Sequence, residues 1–536
     1  MRAKIRWTTW TWLLLASPAL AGVWGARDQY LSRLSSGVEL DPEMLDRFGE
    51  ALAVGDFDSD GHADIAVGVP GAVINGDVDA GSVHVLYGSA NGFRTDNDDV
   101  FDGDSAGIAG DAEPDDRFGS VLAAGDFDGD GFDDLAIGAP AEAIGSASHA
   151  GAFWILYGTA GGLTTSGSDD FNQDSTGVPT GAHANEEFGA ALAAGDFDHD
   201  GYDDLAVSAP SEDRPDCAGG PPEGLVFVFW GASGGLSSTG IQWLDTGVLE
   251  GGLLCGTEFG KALAAGDFDN DDYEDLAIAD PKLADWDGSI FVSEAGAVYV
   301  VAGSASGLDP GDYERWSQEA SGVPGGAEPF DHMGEALSIG NFDGNSRADL
   351  AIGLPFNGDG VGDVGDPGAV VTLHGSSSLL TASGALFLEQ GASGLPDLVE
   401  TNDRFGNALA SGDFDGDGYG DLAIGAAEEN FGAGTNAGIV MVVPGSPAGL
   451  VRAAAQLISQ DFPGVKEDTD TDDEFGRALA VGDVDGDGLD DLVVGLPGQT
   501  IGLDSAAGAI HLLFGALFAA DFEDGAGTSE WSTVSP

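Results

Sequence analysis

Seven stretches of nine residues set oxygen-bearing side chains at their first, third, fifth and ninth positions. They are Asp56, Asp58, Asp60 and Asp64; Asp126, Asp128, Asp130 and Asp134; Asp196, Asp198, Asp200 and Asp204; Asp267, Asp269, Asp271 and Asp275; Asn341, Asp343, Asn345 and Asp349; Asp413, Asp415, Asp417 and Asp421; and Asp483, Asp485, Asp487 and Asp491. Carboxylates at this spacing converge on one point when the chain wraps tightly. The seventh position offers its main-chain carbonyl, which adds His62, Phe132, Tyr202, Tyr273, Arg347, Tyr419 and Leu489 to the candidate set. Hard oxygen donors in a flexible loop select Ca2+ over transition metals, and Mg2+ demands a tighter octahedron. Up to seven Ca2+ ions are therefore expected. No glutamate follows at position 12, and strands are predicted on either side, so these are not EF-hands. Uncompensated neighbouring carboxylates repel each other, so filling the sites is expected to stabilise the fold.

The sites are unequal. Five loops carry glycine at position 6, where a sharp bend is needed. The fourth has Asp272 there, which predicts a strained or altered bend. In the fifth, Asn341 and Asn345 replace two carboxylates. Fewer charges weaken binding, so the fifth site is expected to be the weakest or empty, with the Arg347 side chain pointing outward.

The elements that position these loops repeat with them. Eight residues before each loop stands a Phe-Gly pair, at Phe48, Phe118, Phe188, Phe259, Phe405 and Phe475, with Met333 in the remaining slot. After each loop comes a short apolar run ending near Gly-x-Pro, such as Leu135 to Pro140, and then a second run such as Gly151 to Tyr157. Phe171 to Val178 is predicted as an outer strand. Four strands of about 70 residues cannot bury both faces alone, and radial repetition solves this. The prediction is an all-β, seven-bladed propeller of four-stranded antiparallel blades. A Ser-x-Gly-like signature precedes most Phe-Gly pairs and also the first unit, at Ser35 to Val38. The last unit lacks it, so residues near Tyr30 to Val38 are expected to supply its outer strand and close the ring. The predicted blades are 46–115, 116–185, 186–256, 257–330, 331–402, 403–472 and 473–518, after a closing segment 22–45 and before a tail 519–536.

Charge and composition limit the partners. The formal charge is −76, with 17 Lys+Arg against 93 Asp+Glu. That argues against nucleic acid and anionic membranes. Arg2, Lys4 and Arg6 precede an apolar stretch and an Ala19-Leu20-Ala21 site, which reads as a signal peptide over 1–21; a retained anchor is the alternative. Cys217 and Cys255 are the only cysteines, and in a secreted chain they suggest one disulfide. A pair of free buried thiols stays open.

The order Phe-Gly, acidic loop, Gly-Ala-Pro (as at Gly138 to Pro140) resembles the FG-GAP repeat of the integrin α N-terminal β-propeller, over roughly residues 30 to 515. Departures are Met333 for Phe, Ala427 for Pro, Ser208 and Ala279 for Gly, and the fifth loop. The resemblance implies that the metal loops join strands 1 and 2 on one face. The 2–3 and 4–1 connections then form the other face, often used for partners, and would carry both cysteines. The tail, from Leu517 to Trp531, resembles a short C-terminal motif of secreted bacterial proteins, which favours a bacterial extracellular origin.

No catalytic constellation emerges. Ser105 and Ser233 sit in Gly-x-Ser-x-Gly matches, but without the strand–turn–helix setting of a nucleophile elbow; both are expected in turns. The eight histidines form no metal-binding motif: His62 and His199 are expected to be exposed, and His84 and His511 to pack in third strands. Only short segments fall outside the repeats. The reading is a monomeric, secreted, calcium-binding interaction or adhesion module for a protein or carbohydrate ligand, with no enzymatic activity and no membrane span. The alternatives are an extracellular propeller enzyme acting on glycans, and a salt-adapted acidic surface with structural calcium only.

Overall fold

The computed structural model describes residues 28–518 apart from 39–41, 96–97, 213–222, 253, 287–290, 359–364, 392–393, 397–399, 432–433, 464, 467–468 and 516. The expected leader, Cys217 and the tail beyond 518 lie outside the described residues. Seven four-stranded antiparallel sheets follow one another along the chain, so the protein is a seven-bladed β-propeller.

The second blade shows why the sequence folds this way. Its strands are Val121–Gly125, Asp134–Ala139, Ala152–Tyr157 and Thr164–Asn172, paired in that order. The innermost reads Val-Leu-Ala-Ala-Gly because space is short near the axis. A Cβ on Gly125 would come within 2.8 Å of the Ala194 Cβ on the next blade. Asp134–Ala139 is buried at every residue, which explains its unbroken apolar run. The outer strand is half-buried or exposed along nearly its whole length and is mostly polar. Phe118, of the Phe-Gly pair, lies in a core shared with Leu135, Ile137 and Trp154. Met333 fills the same role at 0% exposure.

The outer strand differs from expectation. It is Thr164–Asn172, not Phe171 to Val178. The Ser-x-Gly signature is the turn that follows it, with Ser175 N–H donating to the Asn172 carbonyl and Val178 N–H to that of Ser175. Turn chemistry, not strand propensity, explains the recurrence of that signature. In the third blade the same place holds a one-turn helix, Thr246–Glu250, capped by Asp245.

The ring is closed in two ways. Asp28–Leu31 pairs antiparallel with Ala509–Leu513, so the start of the described chain is the outer strand of the last blade. In addition, the eighth residue of each acidic loop donates its N–H to the carbonyl of the first residue of the preceding loop: Asp133 to Asp56, Asp203 to Asp126, Glu274 to Asp196, Ala348 to Asp267, Gly420 to Asn341, Asp490 to Asp413, and Ala63 back to Asp483. Among the described residues, no helix is long and apolar enough to cross a membrane.

Candidate metal centres

The seven acidic loops join the first and second strands, so all lie at one end of the ring. The first shows the common geometry. Asp56 accepts from Asp60 N–H through Oδ1 and from Gly61 N–H through Oδ2, each at 3.0 Å. Asp58 Oδ1 accepts from Asp60 N–H at 3.2 Å, and Asp60 Oδ1 from His62 N–H at 3.1 Å. The last carboxylate, Asp64, is buried. It takes Phe57 N–H on Oδ2 at 2.9 Å and Gly88 N–H, just past the third strand, on Oδ1 at 2.8 Å. The second, third, sixth and seventh loops repeat these bonds. Side chains at alternate positions thus fold the loop by capping its own N–H groups, and each carboxylate oxygen keeps a lone pair for a cation.

In the first three loops, positions 1, 3 and 9 offer ligand atoms within 4.8 Å of one another: Asp56, Asp58 and Asp64; Asp126, Asp128 and Asp134; Asp196, Asp198 and Asp204. Asp60, Asp130 and Asp200 are exposed and stand outside these closest sets. In the fourth loop the close set is Asp267, Asp269 and Asp271, and Asp269 Oδ1 is buried without a hydrogen-bond partner. Burial pushes the position-9 carboxyls up, Asp64, Asp275 and Asp491 to about 7 and Asp134, Asp204 and Asp421 to about 8. An adjacent cation reverses that shift by stabilising the charged form. An all-oxygen donor set with a buried carboxylate and an unpartnered oxygen fits a hard divalent cation.

The sequence matches the FG-GAP repeat model over 48–86, 118–156, 188–229, 405–443 and 475–513. Five of the seven blades are FG-GAP repeats. Phosphatidylinositol-glycan-specific phospholipase D of Rattus norvegicus is 34% identical over 184 residues, which cover 34% of this chain and 20% of that protein. Integrin alpha-PS2 of Drosophila melanogaster is 31% identical over 236 residues, 43% of this chain and 15% of that one. The chain thus spans a fifth or less of these relatives. Among solved structures, a rhamnogalacturonan lyase is 12% identical with a TM-score of 0.42, over 91% of this chain and 76% of that one. The rhamnogalacturonan lyase of Bacillus licheniformis is 12% identical at 0.38, over 87% and 71%. Likeness at that level says nothing about activity.

The two blades outside the FG-GAP match carry the two departing loops. In the fourth, Asp272 adopts φ 74°, the left-handed bend that glycine makes elsewhere. In the fifth, Ser346 takes that place at φ 68°. Asn345 closes on Asp343, donating N–H to Oδ1 and Nδ2–H to Oδ2. Arg347 does not point away from its neighbours. Its Nε donates to the Asp269 carbonyl of the fourth loop at 3.2 Å. His374, at the end of the third strand Ala369–Ser376, turns Nδ1 into the fifth loop, 3.3 Å from Asp349 Oδ2 and 3.5 Å from Asp343 Oδ2. Contact with the Asp349 carboxylate holds this imidazole above its usual pKa.

Three groups in these seven centres were not singled out in the sequence. His374 is one. Arg94 is another, with Nη2 3.2 Å from Asp58 Oδ2 and 3.6 Å from Asp60 Oδ2. The third is the acid at position 8: Asp133, Asp203 and Asp490 accept from the first N–H of the preceding loop, of Asp56, Asp126 and Asp413, at 2.7–2.9 Å. Only this last had a legible signal, an acid recurring beside position 9. The remaining residues fall as follows. His62 is half-buried rather than exposed, its ring covering Gly486, while His199 is exposed. His84 and His511 are buried in third strands, near Asp98 and Asp28. Ser105 donates to Asp102 Oδ1 within its turn. Cys255 is disulfide-bonded, and Cys217, the other cysteine, lies outside the described residues.

Proposed function

We propose that the protein is a secreted, calcium-loaded FG-GAP propeller that binds an extracellular protein or carbohydrate partner without transforming it. The observation that carries this reading is a division of labour between the two ends of the ring. Every large apolar side chain that stands exposed among the described residues lies in a 2–3 or 4–1 connection, at the end opposite the acidic loops. Leu503 is 95% exposed and Phe291 75%; Leu34, Met44, Leu45, Val78, Val248 and Phe330 complete the set. Apolar groups gathered on one face of so acidic a molecule mark a contact surface. In this reading the calcium loops stiffen the opposite end and discharge its carboxylates. The basic start, apolar stretch and Ala-x-Ala site support export. The names of the relatives include both an enzyme and integrin chains, and the chain covers too little of either to inherit an activity.

Arrays of extracellular matrix proteins and glycans, probed in calcium, test the reading. Binding should be lost in a Phe291→Ser, Leu503→Ser variant that melts like the parent. Release of a product from any arrayed glycan, or binding indifferent to these two residues, would overturn it.

A further inference from the structure

In six blades the residue before the glycine that caps the position-9 carboxylate is Tyr87, Tyr157, Trp230, Ala302, Pro444 or Phe514. In the fifth it is His374. This substitution coincides with the loss of two carboxylates from the loop it faces, Asn341 and Asn345 standing in their place. The centre therefore exchanges hard, charged oxygens for one nitrogen.

The geometry points to a fifth-blade site for a divalent transition metal, of the zinc class, held by His374 Nδ1, Asp343 and Asp349. The three side chains bring ligand atoms within 4.8 Å of one another. His374 is 7% exposed, and its Nδ1 is buried with no aligned hydrogen-bond partner although it faces both carboxylates. Its separations of 3.3 and 3.5 Å from the two Oδ2 atoms suit ligands around a tetrahedral zinc, which bonds of about 2.0–2.1 Å set about 3.3 Å apart. The Gly384 carbonyl accepts a hydrogen bond from the imidazole. That is the outer contact which fixes ring orientation in metal-ligating histidines. Asp349 is held in turn by Phe342 N–H at 2.9 Å and Gly375 N–H at 2.8 Å. Asn341 Oδ1, in the same loop, is also buried without a partner and is the natural fourth donor. Imidazole favours zinc-like ions over calcium, so the site would fill in the presence of calcium. The inference is independent of whether the other six loops hold calcium.

The test is a titration of the full chain with ZnCl2 in millimolar CaCl2, read by calorimetry and by the visible bands of Co2+ at the same site. One ion per chain should bind, with Kd raised about tenfold or more by His374→Gln and by Asp343→Asn, and calcium stoichiometry should be unaltered by His374→Gln. The second variant guards against a folding defect at the buried histidine. Zinc binding that survives both substitutions would place the ion at other histidines, such as His332 between Glu294 and Glu335, and overturn the proposal. So would no binding, which would mean that the imidazole itself fills the site as a cation.

Discussion

His511 Nδ1 donates to Asp28 Oδ1 at 2.9 Å, although 483 residues separate the two. Both are buried. The other oxygen of Asp28 accepts from Lys466 N–H at 2.7 Å, and the ring of Tyr30 lies 5.0 Å from that of His511. One carboxylate thus ties the closing strand to the third strand of the last blade and to the approach to that blade. Removing one partner of a buried pair leaves the other unsatisfied, so Asp28→Ala should cost about 3 kcal/mol. Urea denaturation in calcium measures it. A loss within error of zero would mean that the strand pairing and the loop-to-loop hydrogen bonds close the ring without this side chain.

The loops and the blade number were legible because each carries its own local signal seven times over. The Phe-Gly pair, the acidic spacing and the bend at position 6 are all set within a few residues. The outer strand was misplaced because Thr164–Asn172 is polar and half-exposed, while the turn after it has the more regular composition. His374 and Arg94 were illegible for a different reason. Each reaches its loop from distant sequence, His374 from the end of the third strand, 25 residues after Asp349, and Arg94 from beyond the third strand, 36 residues after Asp58. No local spacing encodes such a meeting. It arises only once strand register is known.

Arg94 makes the first centre a competitor for its own ion. Its guanidinium lies across Asp58, one of the three carboxylates whose oxygens converge in that loop, and the neighbouring exposed Asp60. The pair is partly exposed, so its worth is about 1 kcal/mol at most. Arg94→Ala should therefore tighten calcium binding in the first blade about threefold to fivefold, more at low ionic strength. Crystals soaked at limiting calcium would show it as higher occupancy in the first blade relative to the second. Unchanged relative occupancy would mean that the arginine swings aside without cost.

Asp272 offers a gain in stability. It holds φ 74° where five other loops use glycine, and it adds a negative charge beside Asp267 and Asp271. Asp tolerates the left-handed region better than most residues, so the strain is small. Asp272→Gly should raise the stability of the calcium-loaded protein by about 0.5–1 kcal/mol. Gly131→Ala, at the same position in the second loop with φ 89°, should move the melting temperature the other way. A fall in both would show that the fourth loop has adapted to its aspartate.

Asp280 should give the fold a pH dependence of its own. It ends the strand Asp275–Asp280 with 0% exposure, where Val69, Ala139, Ala209, Leu354, Ala426 and Leu496 end the corresponding strands. Glu258 N–H donates to its Oδ1 at 3.0 Å, and the Thr257 side chain is its other polar neighbour. Burial, with Glu258 and Glu223 nearby, raises its carboxyl to about 7. An acid whose pKa is higher folded than unfolded binds its proton more tightly in the native state. Its contribution is present at low pH, declines once the unfolded chain ionises near 4, and is gone above 7. Asn mimics the protonated acid and keeps the acceptor for Glu258 N–H. Asp280→Asn should therefore match the parent at pH 5 within about 1 kcal/mol and exceed it at pH 8 by on the order of 2 kcal/mol. Melting curves in calcium at the two pH values give the difference. Equal offsets at both would mean that Asp280 stays ionised in the fold, its charge met by Glu258 N–H and the Thr257 side chain.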